Sequence, residues 1–285
     1  MQTFTLALLA AALYGTALVT TYYGLRHMEA LAGARVSIPS ATLLFWLLTP
    51  FVEFSGWHPG ALALFALVGL FYPAAVTLLT FVGNRRLGPT VAGTIGSTTP
   101  LFAVLGAALF LGEAPGGREF IATATIVLGT MALSRPAAGV PQDLQRSALW
   151  MPWSAALLRA LAQVLSKAGL ALWASPFAAA LVGYTLSTAI VWTAGWLVSG
   201  GKPPAFTRRG VAWFVLTGVL NGAAVLAMYF ALTTGPVRVV APVVATYPLF
   251  TLVLSALFLR HEQLTGRLIA GVALTVAGVV ILLAR

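Results

Sequence analysis

The stretch Pro100–Arg118, PLFAVLGAALFLGEAPGGR, recurs as Pro248–Arg267, PLFTLVLSALFLRHEQLTGR. In each copy a Pro-Leu-Phe triplet leads to an Ala-Leu-Phe-Leu run, then to a glutamate and, five residues on, to an arginine. Apolar low complexity can align leucine with leucine, but it does not bring proline, glutamate and arginine into register. The chain therefore contains a duplicated unit of about half its length. Two flanking pairs extend the match: Gly88-Pro89 with Gly235-Pro236, and Gly129 with Gly278.

The composition of the 285 residues is that of an integral membrane protein. They are 60% hydrophobic and 8% charged, with a mean hydropathy of +0.95, whereas a soluble domain has about 25% charged residues. The net charge of +10 would suggest nucleic acid in a soluble protein. Here the basic residues lie between apolar runs, so they mark cytoplasmic loops and we expect no nucleic-acid partner. The chain has no cysteine and hence no disulfide.

Ten runs approach the roughly 20 apolar residues that a spanning helix needs. Turn residues separate them, among them Gly33, Gly83-Asn84 and Pro115–Gly117. We predict an all-α fold with a five-helix repeat at 1–137 and a second at 147–285, joined by Pro136–Arg146 in one membrane domain. Because five is odd, the second repeat starts from the opposite face and is inverted. The predicted helices are 3–25, 34–52, 60–82, 90–111, 118–135, 149–171, 177–198, 210–232, 237–259 and 264–284.

The basic residues predict the orientation of the chain. One set of loops and helix ends has eleven, namely Arg26, Arg35, Arg85, Arg86, Arg135, Arg146, Lys202, Arg208, Arg209, Arg260 and Arg267. The other face has three: Arg118, Arg238 and Arg285. The positive-inside rule puts the richer face in the cytoplasm, so both termini are predicted to face the periplasm.

The repeated Pro-hydrophobic-Glu motif and the Tyr14-Gly15 pair in the first helix resemble the drug/metabolite transporter superfamily. The similarity covers nearly the whole chain and is greatest to ten-helix bacterial exporters with two EamA-type repeats, in particular the YddG-type exporters of aromatic and neutral amino acids. One departure is the loop Phe51–Gly60, which lacks the basic cluster common in that group. The resemblance implies an inner-membrane protein whose predicted helices 1, 3, 4, 6, 8 and 9 enclose a cavity that works by alternating access.

Predicted helix 6 places Arg159, Gln163 and Lys167 on one face, four residues apart. A charge inside a bilayer needs a partner or a function. Arg159 is close to the middle of its helix, where it can bind a substrate carboxylate or backbone carbonyls. For Lys167 we favour snorkelling to the interface. Asn221, at the centre of predicted helix 8, can bind solute or join helices beside Gly218 and Gly222.

Prolines and hydroxyl groups mark a second set of candidates. Pro73, Pro100, Pro242 and Pro248 each remove a backbone donor within a predicted helix, which makes them candidate hinges. Ser97 and Thr98 precede Pro100, and Thr246 and Tyr247 precede Pro248. These side chains can either bond the freed carbonyls or contact solute. Four tyrosines lie deep in helices assigned to the cavity and can form its wall: Tyr14, Tyr72, Tyr229 and Tyr247.

No acidic residue falls in the middle of a predicted helix: Glu29, Glu53, Glu113, Glu119, Asp143 and Glu262 all lie at ends or in loops. A proton-coupled exporter of lipophilic cations generally needs a buried carboxylate, so that function is disfavoured. A nucleoside or nucleotide-sugar carrier is also disfavoured, because a substrate that carries phosphate needs several cations in the cavity. A membrane enzyme would need a nucleophile or metal cluster that we do not find. The sequence predicts a non-enzymatic exporter of amino acids with aromatic or apolar side chains, by uniport or exchange. We expect no cofactor and no metal, and ten helices suffice for a monomer.

Overall fold

The computed structural model describes residues 1–133, 148–201, 204–259 and 266–283, with the helical backbone alone at 84–85, 87–94, 255–259 and 268. The predicted connection Pro136–Arg146 and residues Arg135, Asp143, Lys202, Arg260, Glu262 and Arg285 lie outside the described residues. The described ranges contain twelve α-helices and no strand. They are α1 Gln2–Leu25, α2 Ala30–Leu48, α3 Pro59–Gly69, α4 Ala74–Gly96, α5 Thr99–Leu111, α6 Gly117–Leu133, α7 Trp150–Leu172, α8 Pro176–Val198, α9 Arg208–Thr234, α10 Val237–Val244, α11 Tyr247–Leu259 and α12 Gly266–Leu283.

Each of the ten predicted spans falls on helix. Predicted helix 3 corresponds to α3 and the start of α4, helix 4 to the end of α4 and α5, and helix 9 to α10 and α11, while the others match single helices. Seven segments of the described chain are long and apolar enough to cross a membrane, and Thr99–Leu111 and Ile269–Leu283 are shorter apolar helices. Large apolar side chains also face outward, since Leu109 and Phe110 are 78% and 73% exposed. Such a surface suits lipid.

Two helix breaks occupy equivalent positions in the two repeats. Helix α4 ends at Gly96 and α5 begins at Thr99; helix α10 ends at Val244 and α11 begins at Tyr247. In each case proline, Pro100 or Pro248, is the second residue of the new helix. Proline donates no backbone hydrogen bond and its ring clashes with the carbonyl four residues earlier, which belongs to the last residue of the preceding helix. The repeated proline therefore sets both breaks. A further break separates α3 from α4 and ends at Pro73.

Two predicted breaks are wrong. Gly33 lies inside α2, where it packs against the ring of Phe214; its small size serves helix contact rather than a turn. Gly83-Asn84 lies inside α4, which runs from Ala74 to Gly96 without interruption. Glycine and asparagine lower helix propensity without excluding helical backbone, so their presence alone does not end a helix.

The bundle has two ends. We call one of them the basic end; it contains the end of α1 and the start of α9, where the Thr207 hydroxyl donates to the His27 carbonyl at 3.2 Å. The opposite end carries the start of α1 and the end of α9, where Thr3 donates to Thr234 at 3.0 Å. Arg208 and Arg209, the first residues of α9, are exposed at the basic end.

The two arginines of the repeated motif each bind carbonyls at the end of the last helix of the other repeat. Arg118, at the start of α6, donates to the carbonyls of Ile281 at 2.7 Å and Leu282 at 3.0 Å, in the last turn of α12. Arg267, at the start of α12, donates to the Ala132 carbonyl at 3.1 Å, in the last turn of α6. The last carbonyls of a helix lack intrahelical donors and carry partial negative charge. The matching arginines therefore hold the last helices of the two repeats side by side.

Glycines let α6 and α12 approach closely. A Cβ added at Gly129 of α6 would lie 2.9 Å from the Gly271 carbonyl oxygen of α12, and one added at Gly278 would lie 2.9 Å from the Ala122 oxygen. Backbone therefore meets backbone at this interface, as small residues permit in membrane helices.

Substitution of Gly129 by alanine is expected to destabilise the protein by roughly 1–3 kcal/mol, because the added methyl group forces the two backbones apart. Gly117, at the start of α6, has open space around its Cα, so Gly117→Ala is the matched control. Thermal denaturation of the purified protein in detergent tests this. Equal melting temperatures for the two variants would contradict the assigned packing.

Candidate functional site

A cavity of about 130 Å³ lies in the middle of the bundle and in the half toward the basic end. One water molecule needs about 10–15 Å³ by the same measure, so the space admits a small solute. All six helices predicted to enclose the cavity contribute to its lining, and α2 and α8 contribute as well. Of the predicted site and hinge residues, seven line it: Tyr14, Tyr72, Pro73, Arg159, Gln163, Asn221 and Tyr247. Seven do not: Ser97, Thr98, Pro100, Tyr229, Pro242, Thr246 and Pro248.

Arg159 brings a positive charge to the cavity from the middle of α7. It is partly buried, and its Nη2 lies 3.4 Å from the Thr80 hydroxyl oxygen, a long hydrogen bond. Among the described residues no carboxylate forms an ion pair with it. A guanidinium has five N–H donors in a planar fork, so most of its donors remain for a ligand.

Gln163 lies one helical turn further along the same face of α7 and lines the cavity. Its side chain is 3% exposed, and its Oε1 has no hydrogen-bond partner. Buried acceptors in folded proteins are nearly always satisfied. This amide oxygen is therefore an exception within the part of the chain that the structure describes.

Lys167 lies on the same face of α7 as Arg159 and Gln163, but it is at the opposite end of the bundle and is not among the lining residues. Its Nζ donates to the carbonyls of Leu232 at 2.6 Å and Gly235 at 3.0 Å, where α9 ends. The lysine thus joins α7 to the end of α9 instead of binding solute. Snorkelling to the interface stays a prediction; the structure shows that the partners of the ammonium are carbonyls at the end of α9.

Glu113 binds the adjacent start of α10. Its Oε2 accepts from the Val237 backbone N–H at 2.7 Å, and a carboxylate at a helix N-terminus is stabilised by the unpaired N–H groups there. Glu119 approaches Arg238 at 3.8 Å nearby. Together with Lys167, Glu113 joins the ends of α5, α7 and α9 to the start of α10 at the opposite end of the bundle; we call Glu113, Lys167 and Val237 the closing cluster.

Tyrosines form much of the cavity wall. The hydroxyl oxygens of Tyr14 in α1 and of Tyr72, in the break before α4, are 2.9 Å apart and share a hydrogen bond within the first repeat. Tyr247 lines the cavity from the second repeat. Tyr229 instead packs in the core, where its hydroxyl accepts from Ser166 at 3.1 Å. Tyr184 of α8 lines the cavity although its helix was not assigned to it.

The hydroxyls at the helix breaks serve the backbone. Thr98 donates to the Ile95 carbonyl at 2.6 Å, and Thr246 donates to the Val243 carbonyl at 2.7 Å. Thr99, which lines the cavity, donates to the Gly96 carbonyl at 2.7 Å. Ser97 is buried and also makes an interaction within the protein. The Gly96 carbonyl is the one that Pro100 leaves without an N–H donor, whereas the Ile95 and Val243 carbonyls lie one residue before the freed carbonyls and also accept backbone N–H groups.

Asn221 faces the cavity from the middle of α9. The glycines on either side of it meet α2: a Cβ at Gly218 would lie 2.9 Å from the Ser37 Cα, and one at Gly222 would lie 2.9 Å from the Ala41 Cβ. Close helix packing thus belongs to the glycines, while the amide points to the cavity.

The cavity also has hydroxyls that the sequence reasoning missed, chiefly Thr77 and Thr80 of α4. The available signal was spacing, because Pro73, Thr77 and Thr80 repeat every three or four residues and share one helix face. None of the described lining residues is acidic or a histidine. In the described residues, no group of three or more His, Cys, Asp and Glu side chains could hold a metal ion.

Comparison with known proteins agrees with this architecture. The sequence pattern of the EamA-like transporter family matches residues 1–135 and 146–284. This chain belongs to the EamA-like transporter family. It is therefore a multi-pass membrane transporter of small solutes with the ten-helix, two-repeat fold of the drug/metabolite transporter superfamily. The family match does not distinguish the YddG-type group within it.

A solved structure supports the fold. A crystal structure described only as that of a protein superposes with a TM-score of 0.82, at 16% identity, over 98% of this chain and 95% of the other. Comparison with curated protein sequences gives no match.

Replacement of Lys167 by methionine is expected to loosen the closing cluster, because the Leu232 and Gly235 carbonyls lose their donor. The chain has no cysteine, so spin labels at Leu172→Cys and Phe230→Cys report the separation of the ends of α7 and α9. Electron paramagnetic resonance should give a longer or broader distance distribution in Lys167→Met. The exposed Arg209→Met is the control, and the assignment fails if both variants keep the parent distribution.

Proposed function

We propose that this protein is an alternating-access exporter of amino acids with aromatic or apolar side chains, working by uniport or exchange. The observation that carries the proposal is Arg159, a cation on the cavity wall with one long hydrogen bond to Thr80. Within the described chain it has no carboxylate partner. An isolated charge inside a membrane protein marks a substrate pathway by default, and a carboxylate is the natural partner of a guanidinium.

The remaining lining suits the rest of such a substrate. Phe81, Met228 and the cavity tyrosines offer apolar and aromatic surface, which can stack against an aromatic side chain. Asn221 adds an amide that both donates and accepts. The carboxylate of a zwitterion pairs with the Arg159 cation, while its ammonium needs neutral acceptors, which the amides of Gln163 and Asn221 can supply.

The two rival transport functions fit the lining less well. Lipophilic-cation efflux coupled to protons generally uses a carboxylate that binds proton and drug in turn, and no described lining residue is acidic. A carrier for phosphate-bearing nucleotide sugars needs several cations, whereas Arg159 is the one basic residue among those that line the described cavity. A membrane enzyme is the remaining class, and the family membership argues against it.

The helix breaks supply a mechanism for alternating access. Pro100 and Pro248 start α5 and α11 just after the cavity-lining residues Gly96 and Val244. We propose that these breaks and that at Pro73 act as hinges, together with Pro242 inside α10. The closing cluster would open the opposite end when the basic end closes, as expected for an inverted repeat.

We further propose a bacterial inner-membrane location with both termini in the periplasm, because the arginine-rich end is then cytoplasmic. In this orientation the described cavity faces the cytoplasm, as a loading state of an exporter should. The repeats 1–137 and 147–285 act as the two units that move relative to each other, and one chain encloses the whole pathway.

Arg159→Met is expected to reduce amino-acid uptake into proteoliposomes at least about tenfold, because the substrate carboxylate loses its charged partner. Radiolabelled Trp, Phe, Met and Thr, a nucleoside and a quaternary cation form the panel, with and without a pH gradient. Arg209→Met is the control and should transport normally. Saturable amino-acid flux that survives in Arg159→Met would remove the carboxylate role, and gradient-driven cation flux with inert amino acids would overturn the proposed function.

A further inference from the structure

Gln163 is an unexplained polar group in the cavity wall. It is 3% exposed, and its Oε1 finds no donor among the residues that the structure describes. Other buried polar groups of the same helix are satisfied: Ser166 donates to Tyr229, and Lys167 donates to two carbonyls. The orphan oxygen belongs to a side chain that lines the cavity, where a ligand can supply the missing donor once the amide turns toward it.

Arg159 and Gln163 present complementary chemistry along one face of α7. The guanidinium has donors only, whereas the amide oxygen is an acceptor that lacks a donor. Their Cα atoms are separated by one turn, a rise of about 6 Å. A ligand that satisfies both groups must bring an anionic acceptor to Arg159 and an N–H or O–H donor to Gln163.

We propose that Gln163 is the amine subsite of the cavity, accepting a hydrogen bond from the α-ammonium of the solute whose carboxylate binds Arg159. The inference rests on the proposed function and adds the orientation of the bound solute. Helix α7 runs from the basic end to the opposite end, so the solute lies with its carboxylate toward the basic end and its amine toward the closing cluster. The terminal amide torsion of glutamine is broad, which lets Oε1 turn to the donor when the solute arrives.

The competing role for Gln163 is donation from its Nε2 to the substrate carboxylate. The two roles differ in their response to the ligand. An amine acceptor matters only for solutes that carry the amine, whereas a carboxylate donor matters equally for solutes that lack it. A pair of ligands that differ in the amine alone therefore separates the roles.

The experiment measures binding of phenylalanine and of 3-phenylpropanoate, its analogue without the amine, to the purified full-length protein by isothermal titration calorimetry. The parent protein should prefer phenylalanine by roughly tenfold or more, because the analogue leaves the amide oxygen unpaired. In Gln163→Met the preference should fall to about unity while the affinity for 3-phenylpropanoate is unchanged. Gln2→Met, at the exposed start of α1, is the matched control and should keep the parent preference.

The outcomes separate the two proposals. If the parent protein binds neither ligand, the proposed function fails. If it prefers phenylalanine and Gln163→Met keeps that preference, or weakens both ligands equally, the amine subsite is overturned and the proposed function stands. Gln163→Leu covers the case in which the methionine variant does not fold, because it also removes the acceptor and adds no charge that would pair with Arg159 one turn away. It should likewise bring the preference to about unity, and a preference equal to that of the parent protein would again overturn the subsite.

Discussion

A lipid bilayer offers no donors to backbone carbonyls, so each carbonyl released at a helix end or break must be satisfied by the protein. Much of the polar chemistry of this chain follows from that constraint. Thr98, Thr99 and Thr246 donate to carbonyls at the two proline breaks. Arg118 and Arg267 donate to the last turns of α12 and α6. Interrupted helices, which a transporter needs in order to move, can exist here because these side chains complete the backbone hydrogen bonding.

The same constraint separates cations whose donors serve the backbone from the cation on the cavity wall. Lys167 is half-buried and Arg118 is exposed, and the donors of both meet helix-end carbonyls, so their positions are explained by the fold. Among the described residues, Arg159 has a long contact with a threonine hydroxyl and no carboxylate partner. Of the three polar residues on one face of α7, Arg159 and Gln163 line the cavity and Lys167 lies at the opposite end of the bundle. The division follows from depth in the bundle, because only Lys167 lies within reach of the end of α9.

Prediction from the sequence succeeded where a residue type has one dominant consequence. Proline in a helix releases a carbonyl, so Pro100 and Pro248 were predicted as candidate hinges inside helices 4 and 9, and the structure has a helix break just before each of them. It failed where a residue permits several outcomes. Gly33 and Gly83-Asn84 were expected at turns but lie inside α2 and α4, because glycine allows a turn or a close contact equally. Tyr229 was expected in the cavity wall but packs in the core, whereas Tyr184, whose helix was not assigned to the cavity, lines it. The sequence indicates the depth of a tyrosine in its helix, but the direction in which it points depends on the neighbouring helices.

The sequence by itself determined that the chain is a duplicated, ten-helix membrane protein with few internal charges, since hydropathy and the repeated Pro–Glu–Arg pattern are properties of the linear chain. It also placed Arg159 near mid-membrane. The tertiary structure decided which polar groups face one another: that Arg118 and Arg267 cap the opposite repeat, that Glu113 binds the start of α10, and that Gln163 Oε1 has no donor in the described part of the chain. Those facts depend on contacts between residues far apart in the chain, and local pattern contains no information about how two helices rotate against each other.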